Sequence, residues 1–318
     1  MSGASLRYRL EYSVVAAMRA IVGVLPDAAA RGLGSLVGLF FYAVDRSHRR
    51  LAVRQLRAAF PTRSEAECRA VARATFAHFG RLLVVLLKFS TLSADQIRAR
   101  VEFEGEDRVQ AALARGHGAI IFTGHFGYWE LQGLAQPLVL PSLSVLARPL
   151  DNPYLHVLLE KMRMATGNRV IYRRGALRRV LRALNANECV AILIDQHIQG
   201  SDAVRVDFFN RTAATTAALA TLALRTGAPL IPAFALPQSD GRYRLIYEHP
   251  IELPPPGSTD PVRDLTQRCT DVLEMYVRRY PDLWLWMHRR WRDEGDEAAP
   301  MPGMFPAAAS DEREEPAE

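Results

Sequence analysis

The stretch "GAIIFTGHFGYWELQG", residues 118–133, holds a run of aliphatic and aromatic side chains, a glycine-bounded turn and the beginning of an apolar helix. "GAIIFTG" (118–124) reads as a buried strand, and "WELQGLAQPL" (129–138) reads as the start of a helix. His125 therefore falls where a strand ends and the chain turns. In open α/β sheets, ligands gather at that carboxyl edge.

The same alternation continues outward. From about residue 100, strand-like runs at "LSVLAR" (143–148), "RVIYR" (169–173), "CVAILID" (189–195) and "PLIPAFAL" (229–236) alternate with helical segments. Those segments lie around 128–136, 153–166, 176–186 and 214–226. This pattern predicts an α/β fold with a mainly parallel central sheet flanked by helices. "RYRLIYEH" reads as a late strand and "PVRDLTQRCTDVLEMYVRRYP" as a closing helix stopped by Pro281. Residues 64–90 read as a helix opened by a capping box, with Ser64 followed three residues on by Glu67.

The N-terminal segment is different in kind. "YSVVAAMRAIVGVLP" (12–26) and "GLGSLVGLFFYAV" (32–44) are apolar, yet each is shorter than the roughly 20 residues that cross a bilayer. Arginines surround both runs, among them Arg7, Arg9, Arg19, Arg31, Arg46 and Arg49. Such segments fit helices lying in the interface of an anionic membrane, or amphipathic helices packed on the protein's own core. No small-residue cleavage site follows a clean apolar core, so a cleaved signal peptide is not expected.

The 318 residues carry a net charge of +6, which suits an anionic partner. Lys88 and Lys161 are the only lysines, and arginine's planar fork suits phosphate and carboxylate better than lysine's point charge. Cys68, Cys189 and Cys269 are far apart and form no CxxC pair, which favours a reducing compartment. The chain has no G-x-S-x-G elbow, no phosphate-loop lysine, no G-x-G-x-x-G and no zinc-like His/Cys spacing. No metal or cofactor is expected, and no motif supports nucleic-acid binding.

His125 and Glu130 are what remains. Five positions on one helix place side chains about 140° apart, so the pair can converge only if His125 sits in the turn before the helix. Gly124 and Gly127 ease such a turn. A histidine oriented by a carboxylate is a general base, and with no serine or cysteine nucleophile nearby it would activate a substrate hydroxyl. On spacing alone, a hydrogen-bonded core histidine is the favoured reading.

"GHFGYWE" resembles the H-x4-D/E signature of glycerolipid acyltransferases, above all its H-F-G-x-W-E form in the bacterial lipid A biosynthesis acyltransferases. "QLRAAFP" (55–61), "ARPLDNPYLHVLLEKMRMATGNRVI" (147–171), "VAILIDQ" (190–196), "VDFFNRTAATT" (206–216) and "YPDLWLWMHRRWR" (280–292) resemble further blocks of that family, in order. Two positions depart from it: Asn210 replaces the usual glycine after the phenylalanine pair, and Tyr128 stands where asparagine is common. Both could alter an acceptor or acyl pocket.

The resemblance implies a glycerolipid acyltransferase-like fold, with His125 as general base and Glu130 as its orienting carboxylate. It implies acyl carrier protein as acyl donor and a lipid A precursor hydroxyl as acceptor, at the cytoplasmic face of the inner membrane. Arg148, Arg163 and Arg173 are candidates for gripping phosphate or sugar-acid carboxylate on the acceptor. Asp195 could organise the site or serve as a loop carboxylate or helix cap. Arg289, Arg290 and Arg292 with Trp284, Trp286 and Trp291 could contact headgroups, or simply pack.

The expected organisation is an N-terminal helical, membrane-associated region (1–95), an α/β catalytic domain (96–292) and a disordered acidic tail (293–318). Other readings are acyl transfer to another glycolipid or lysophospholipid, and a catalytically silent lipid-binding protein.

Overall fold

A computed structural model describes residues 3–172, 175–200 and 202–292 of the protein. The chain opens with four helices, α1 (Gly3–Val24), α2 (Asp27–Val44), α3 (Arg46–Ala59) and α4 (Glu65–Phe89). The remaining elements follow as α5 (Ala94–Arg98), β1 (Val101–Glu104), α6 (Glu106–Leu113), β2 (Ala119–Thr123), α7 (Trp129–Ala135) and β3 (Leu143–Ala147). Next come α8 (Pro153–Met164), β4 (Arg169–Tyr172), α9 (Ala176–Asn185), β5 (Cys189–Leu193), β6 (Ala203–Asp207) and β7 (Thr212–Thr216). The last are α10 (Ala218–Thr226), β8 (Leu230–Pro237), β9 (Tyr243–Tyr247) and α11 (Pro261–Arg279). The expected acidic tail (293–318) lies outside the described residues.

Seven strands form one sheet in the order β1-β9-β8-β2-β5-β3-β4. Its pairings are parallel except for β8 with β9, so the expected mainly parallel sheet is present. The chain leaves β2 toward β3 on one side and leaves β5 toward β8 on the other. Each passes over the other's strand, so the two connections leave in opposite directions at the carboxyl ends of β2 and β5, where open α/β sheets place their ligand crevice.

Both sheet faces are covered. Ile120, Phe122, Val190 and Ile192 pack with Val180 of α9, Leu222 of α10, Leu273 of α11 and Leu56 of α3. Ile121 on the opposite face packs with Val109 and Ala112 of α6. Alternate residues of β2 thus face two apolar layers, which is why the strand reads as a continuous apolar run.

Helix α4 begins with the expected capping box. Ser64 Oγ accepts from the Glu67 N–H at 3.3 Å, and Glu67 Oε2 accepts from the Ser64 N–H at 2.7 Å. Among the described residues, α4 is the one helix long and apolar enough to cross a membrane, but more than half of its apolar window is buried within the protein. It packs backbone to backbone on α2: a Cβ at Gly38 would lie 2.0 Å from the Phe76 carbonyl oxygen. Two apolar helices joined this closely leave room for glycine alone.

Helix α1 extends beyond its apolar run to 22 residues by adding the polar segment before Tyr12. Leu6, Leu10, Val14, Ile21 and Val24 on α1, with Leu36, Phe40 and Val44 on α2, remain exposed.

One expected element differs. The helical segment expected around 214–226 begins later: residues 212–216 form the second strand of an antiparallel hairpin, and α10 starts only at Ala218. The threonine-rich "TAATT" suits a pleated surface, and this local preference wins over the apolar helical pattern that follows it. The hairpin turn puts Phe209 (φ 58°) and Asn210 (φ 56°) in the left-handed region, with the Phe208 N–H donating to the Arg211 carbonyl at 2.9 Å. Asparagine tolerates that conformation better than other non-glycine residues. The Asn210 departure therefore answers a demand of turn geometry. Tyr128, the other departure, is a core residue, 1% exposed and edge-on to His78 and Tyr243.

Candidate active site

Strands β2 and β5 pair in parallel with Thr123 opposite Leu193. Two residues beyond that pair, at the carboxyl edge of the sheet, stand His125 and Asp195. The register thus brings together two side chains that are 70 residues apart in sequence.

The turn holding His125 is built by glycines. Gly127 has φ +59°, and a Cβ there would meet the Ala235 carbonyl oxygen at 2.2 Å. At Gly124 a Cβ would press on the Asp195 carboxylate at 2.9 Å, so glycine lets that carboxylate lie against the backbone. Buried His78 faces the Gly127 carbonyl through Nε2 at 3.1 Å and fastens the turn to α4.

Asp195 is 3% exposed and fully engaged. Its Oδ1 lies 2.8 Å from His125 Nδ1, and its Oδ2 accepts from the His125 backbone N–H at 2.7 Å and from Trp284 Nε1–H at 2.8 Å. Burial alone would raise the Asp195 pKa, but the charge of His125 and these donated hydrogen bonds reverse that and hold it at about 2. An ionised carboxylate only accepts, so the His125 proton sits on Nδ1 and Nε2 presents a lone pair. That nitrogen lies 3.4 Å from the Gln196 side-chain amide.

Burial by itself would lower the His125 pKa. The neighbouring Asp195 charge and hydrogen bond, with the Glu130 charge, outweigh burial and raise it above 6.5. His288, a second histidine in the same electrostatic neighbourhood, is pushed down to about 4, chiefly by burial. Of these two imidazoles, His125 is the stronger base. Since Asp195 stays ionised throughout the working range, transfer that uses neutral His125 should fall as pH drops through a single pKa above 6.5. A kcat/KM profile between pH 5 and 9 checks this expectation. A flat profile across that interval would contradict it.

Glu130 was expected to orient His125, and the structure corrects this. Its Oε2 accepts from Arg163 Nε at 3.0 Å and its Oε1 accepts from Arg163 Nη2, a two-pronged ion pair with both side chains largely buried. Both carboxylate oxygens are taken by the guanidinium fork, and Asp195 has the place beside His125 Nδ1. Arg163 was expected to reach the acceptor. In the structure it ties α8 to the first turn of α7, one turn from His125.

Arg148 follows β3 at the same carboxyl edge of the sheet, with Nη2 3.9 Å from Asp151. Arg173 lies outside the described residues.

In the closing segment, three of the six residues named above follow the packing alternative. Trp284, Trp286 and Arg290 are buried and so present no face to headgroups. Arg290 donates to the Ala214 carbonyl at 2.7 Å and to Thr215 Oγ1, clipping the hairpin to the segment that carries Trp284. Gln55 of α3 holds the same segment, donating to the carbonyls of Trp286 at 2.6 Å and His288 at 2.7 Å.

Trp284 and Gln196 had no assigned place at the site from sequence. Both fall inside blocks already singled out, but only the fold shows that one holds Asp195 and the other faces His125. Among the described residues, no group of three or more His, Cys, Asp or Glu side chains could hold a metal ion.

A small cavity of about 70 Å3, partly open to solvent, lies beside α7. Ile121, Leu134, Leu143 and Val145 line it together with Glu130 and Arg163.

Residues 3–293 match the family profile described as bacterial lipid A biosynthesis acyltransferase. The chain is 24% identical to the lipid A biosynthesis palmitoleoyltransferase of Escherichia coli K12, over 84% of this chain and 86% of that one. It is 26% identical to the lauroyltransferase of the same organism, over 86% and 88% of the two chains. It is also 24% identical to the phosphatidylinositol mannoside acyltransferase of Mycolicibacterium smegmatis, over 71% and 74%. The crystal structure of a 1-acyl-sn-glycerophosphate acyltransferase from Thermotoga maritima aligns with 78% of this chain and 96% of that chain, at TM-score 0.35 and 14% identity. At that score the likeness is too slight to argue from.

Proposed function

The chain belongs to the bacterial lipid A biosynthesis acyltransferase family, and we propose that within it this protein moves a fatty acyl chain from acyl carrier protein to a hydroxyl of a lipid A precursor. The observation that carries the chemistry is the His125–Asp195 pair, with Nδ1–H held by the carboxylate and Nε2 turned outward as a base.

In this reading the acceptor hydroxyl gives its proton to His125 Nε2 as its oxygen attacks the thioester carbonyl. Asp195 steadies the imidazolium that forms. Collapse of the tetrahedral intermediate breaks the C–S bond, and the leaving thiolate takes the proton back from His125. No nucleophilic side chain and no cofactor enters. Arg148 at the same sheet edge supports a grip on an acceptor phosphate or sugar-acid carboxylate.

Transfer from acyl-carrier-protein thioesters, from lauroyl to palmitoyl, onto a bisphosphorylated acylated glucosamine disaccharide tests the reading. The product gains one acyl mass. The mannoside acyltransferase is comparably similar, so a phosphatidylinositol mannoside acceptor belongs in the same assay. Preference for that acceptor would replace the lipid A precursor, and transfer to neither would favour a silent lipid-binding protein.

The site would work at the cytoplasmic face of the inner membrane. Leu6, Leu10 and Val14 on α1, and Leu36, Phe40 and Val44 on α2, recur at helical spacing on exposed faces, with Arg7 and Arg9 beside them. Such faces suit burial in an anionic interface. Burying one large apolar side chain contributes about 1.5–3 kcal/mol. The double substitution Leu10→Asp and Phe40→Asp should therefore weaken vesicle binding by about 10²-fold or more. High salt should release the unsubstituted protein only partly, because apolar contacts survive screening. Sedimentation with anionic vesicles measures both, and complete release by salt would exclude apolar insertion.

A further inference from the structure

Acyl transfer puts negative charge on the thioester oxygen, and a preorganised donor must meet it. Three backbone N–H groups of the His125 turn are already committed. The N–H of His125 donates to Asp195 Oδ2 at 2.7 Å, that of Gly127 to the Leu283 carbonyl at 2.9 Å, and that of Tyr128 to the Ala235 carbonyl at 2.9 Å. Arg163 turns its Nε and Nη2 onto Glu130. These groups are spent on holding the site together.

One side-chain donor does lie against the base nitrogen. The Gln196 amide is 3.4 Å from His125 Nε2, and the side chain is exposed, on the crevice side where a substrate would arrive. Because Nε2 carries no proton in the tautomer set by Asp195, only the amide N–H can face it. Gln196 directly follows Asp195, so the backbone that fixes the carboxylate also fixes the amide. Its own carbonyl lies 3.5 Å from Arg290 Nη1.

Resting on the acyl-transfer reading, we propose that Gln196 caps the base nitrogen in the free enzyme and donates to the oxyanion once substrate is bound. The arriving hydroxyl takes the amide's place at Nε2 and hands over its proton as the O–C bond forms. The displaced N–H then lies about one hydrogen-bond length away, where the carbonyl oxygen becomes negative. When the C–S bond breaks, the carbonyl reforms, the thiolate leaves with the proton, and the amide returns to Nε2.

The test measures transfer from lauroyl-to-palmitoyl acyl-carrier-protein donors by Gln196→Ala, Gln196→Glu and Gln196→Asn, beside His125→Ala. Gln196→Ala should lower kcat by about 10²–10³-fold, the usual effect of removing one oxyanion donor, with acceptor KM changed less than about threefold. Gln196→Glu should be slower still, because a carboxylate repels the oxyanion. Its acid limb should also move to higher pH, because that carboxylate stabilises the imidazolium. Gln196→Asn keeps the amide and should fall between the wild type and Gln196→Ala.

A Gln196→Ala kcat within threefold of wild type, or a Gln196→Glu rate equal to wild type, overturns the assignment. Should the alanine protein fail to fold, the other two decide: asparagine faster than glutamate supports the role, and equal rates overturn it. Transfer retained in His125→Ala would overturn the acyl-transfer reading itself. Loss in His125→Ala with none in Gln196→Ala overturns only the part given to Gln196.

Discussion

Replacing His125 with alanine should lower acyl transfer by about 10²–10⁴-fold, the usual contribution of a positioned general base, while the protein stays folded and bound to vesicles. The imidazole touches the structure lightly enough for this to be a clean test. Its polar side-chain contacts are with Asp195 and Gln196, and its ring meets Trp129 edge-on at 5.3 Å. The backbone N–H that anchors the turn to Asp195 survives the substitution. The loss should fall on kcat with little change in acceptor KM, because the base acts on the proton in flight. Near wild-type transfer by a folded His125→Ala protein would leave the turn with a structural role only.

The second large effect belongs to Asp195. In Asp195→Asn the side-chain amide can donate to Nδ1, which drives the ring proton to Nε2 and removes the lone pair that faces the hydroxyl. A loss on the order of 10⁴ is expected where a carboxylate that fixes the tautomer is neutralised. The acid limb of the residual activity should move to lower pH, because the charge that raises the His125 pKa is gone.

Glu130→Gln provides the contrast. It weakens the ion pair with Arg163 but leaves the His125–Asp195 contact in place. Loss of charge-assisted hydrogen bonds of about 1.5–3 kcal/mol corresponds to roughly 10–150-fold. Stopped assays on both proteins rank the carboxylates. A Glu130→Gln enzyme slower than Asp195→Asn would return the orienting role to Glu130.

The parallel sheet was legible because its strands are apolar on both faces, and runs such as "GAIIFTG" and "CVAILID" have few other homes in a chain of alternating pattern. Helix α4 was legible from its cap and its apolar length. The hairpin of β6 and β7 was not, because "TAATT" runs directly into an apolar helix and the turn signal, Phe209-Asn210, lacks the glycine that usually marks it.

The partner of His125 was hidden for a different reason. Glu130 is near in sequence, while Asp195 becomes near only when β5 lies beside β2 with Thr123 opposite Leu193. Sequence spacing reports local geometry, and the register of two parallel strands is not local. The ion pair of Glu130 with Arg163 depends likewise on α8 packing beside α7. Trp284 and Arg290 were open to headgroup contact or to packing, and the fold uses the indole N–H and the guanidinium to satisfy buried acceptors.

The most direct measurement is the mass of lipid A from a bacterium of origin deleted for this protein, complemented with the wild type or with His125→Ala. The deletion should remove the mass of one acyl chain from part or all of the lipid A. The wild type should restore that mass, and His125→Ala, expressed at the same level in the membrane fraction, should not. Unaltered lipid A in the deletion strain, or full restoration by His125→Ala, would contradict it.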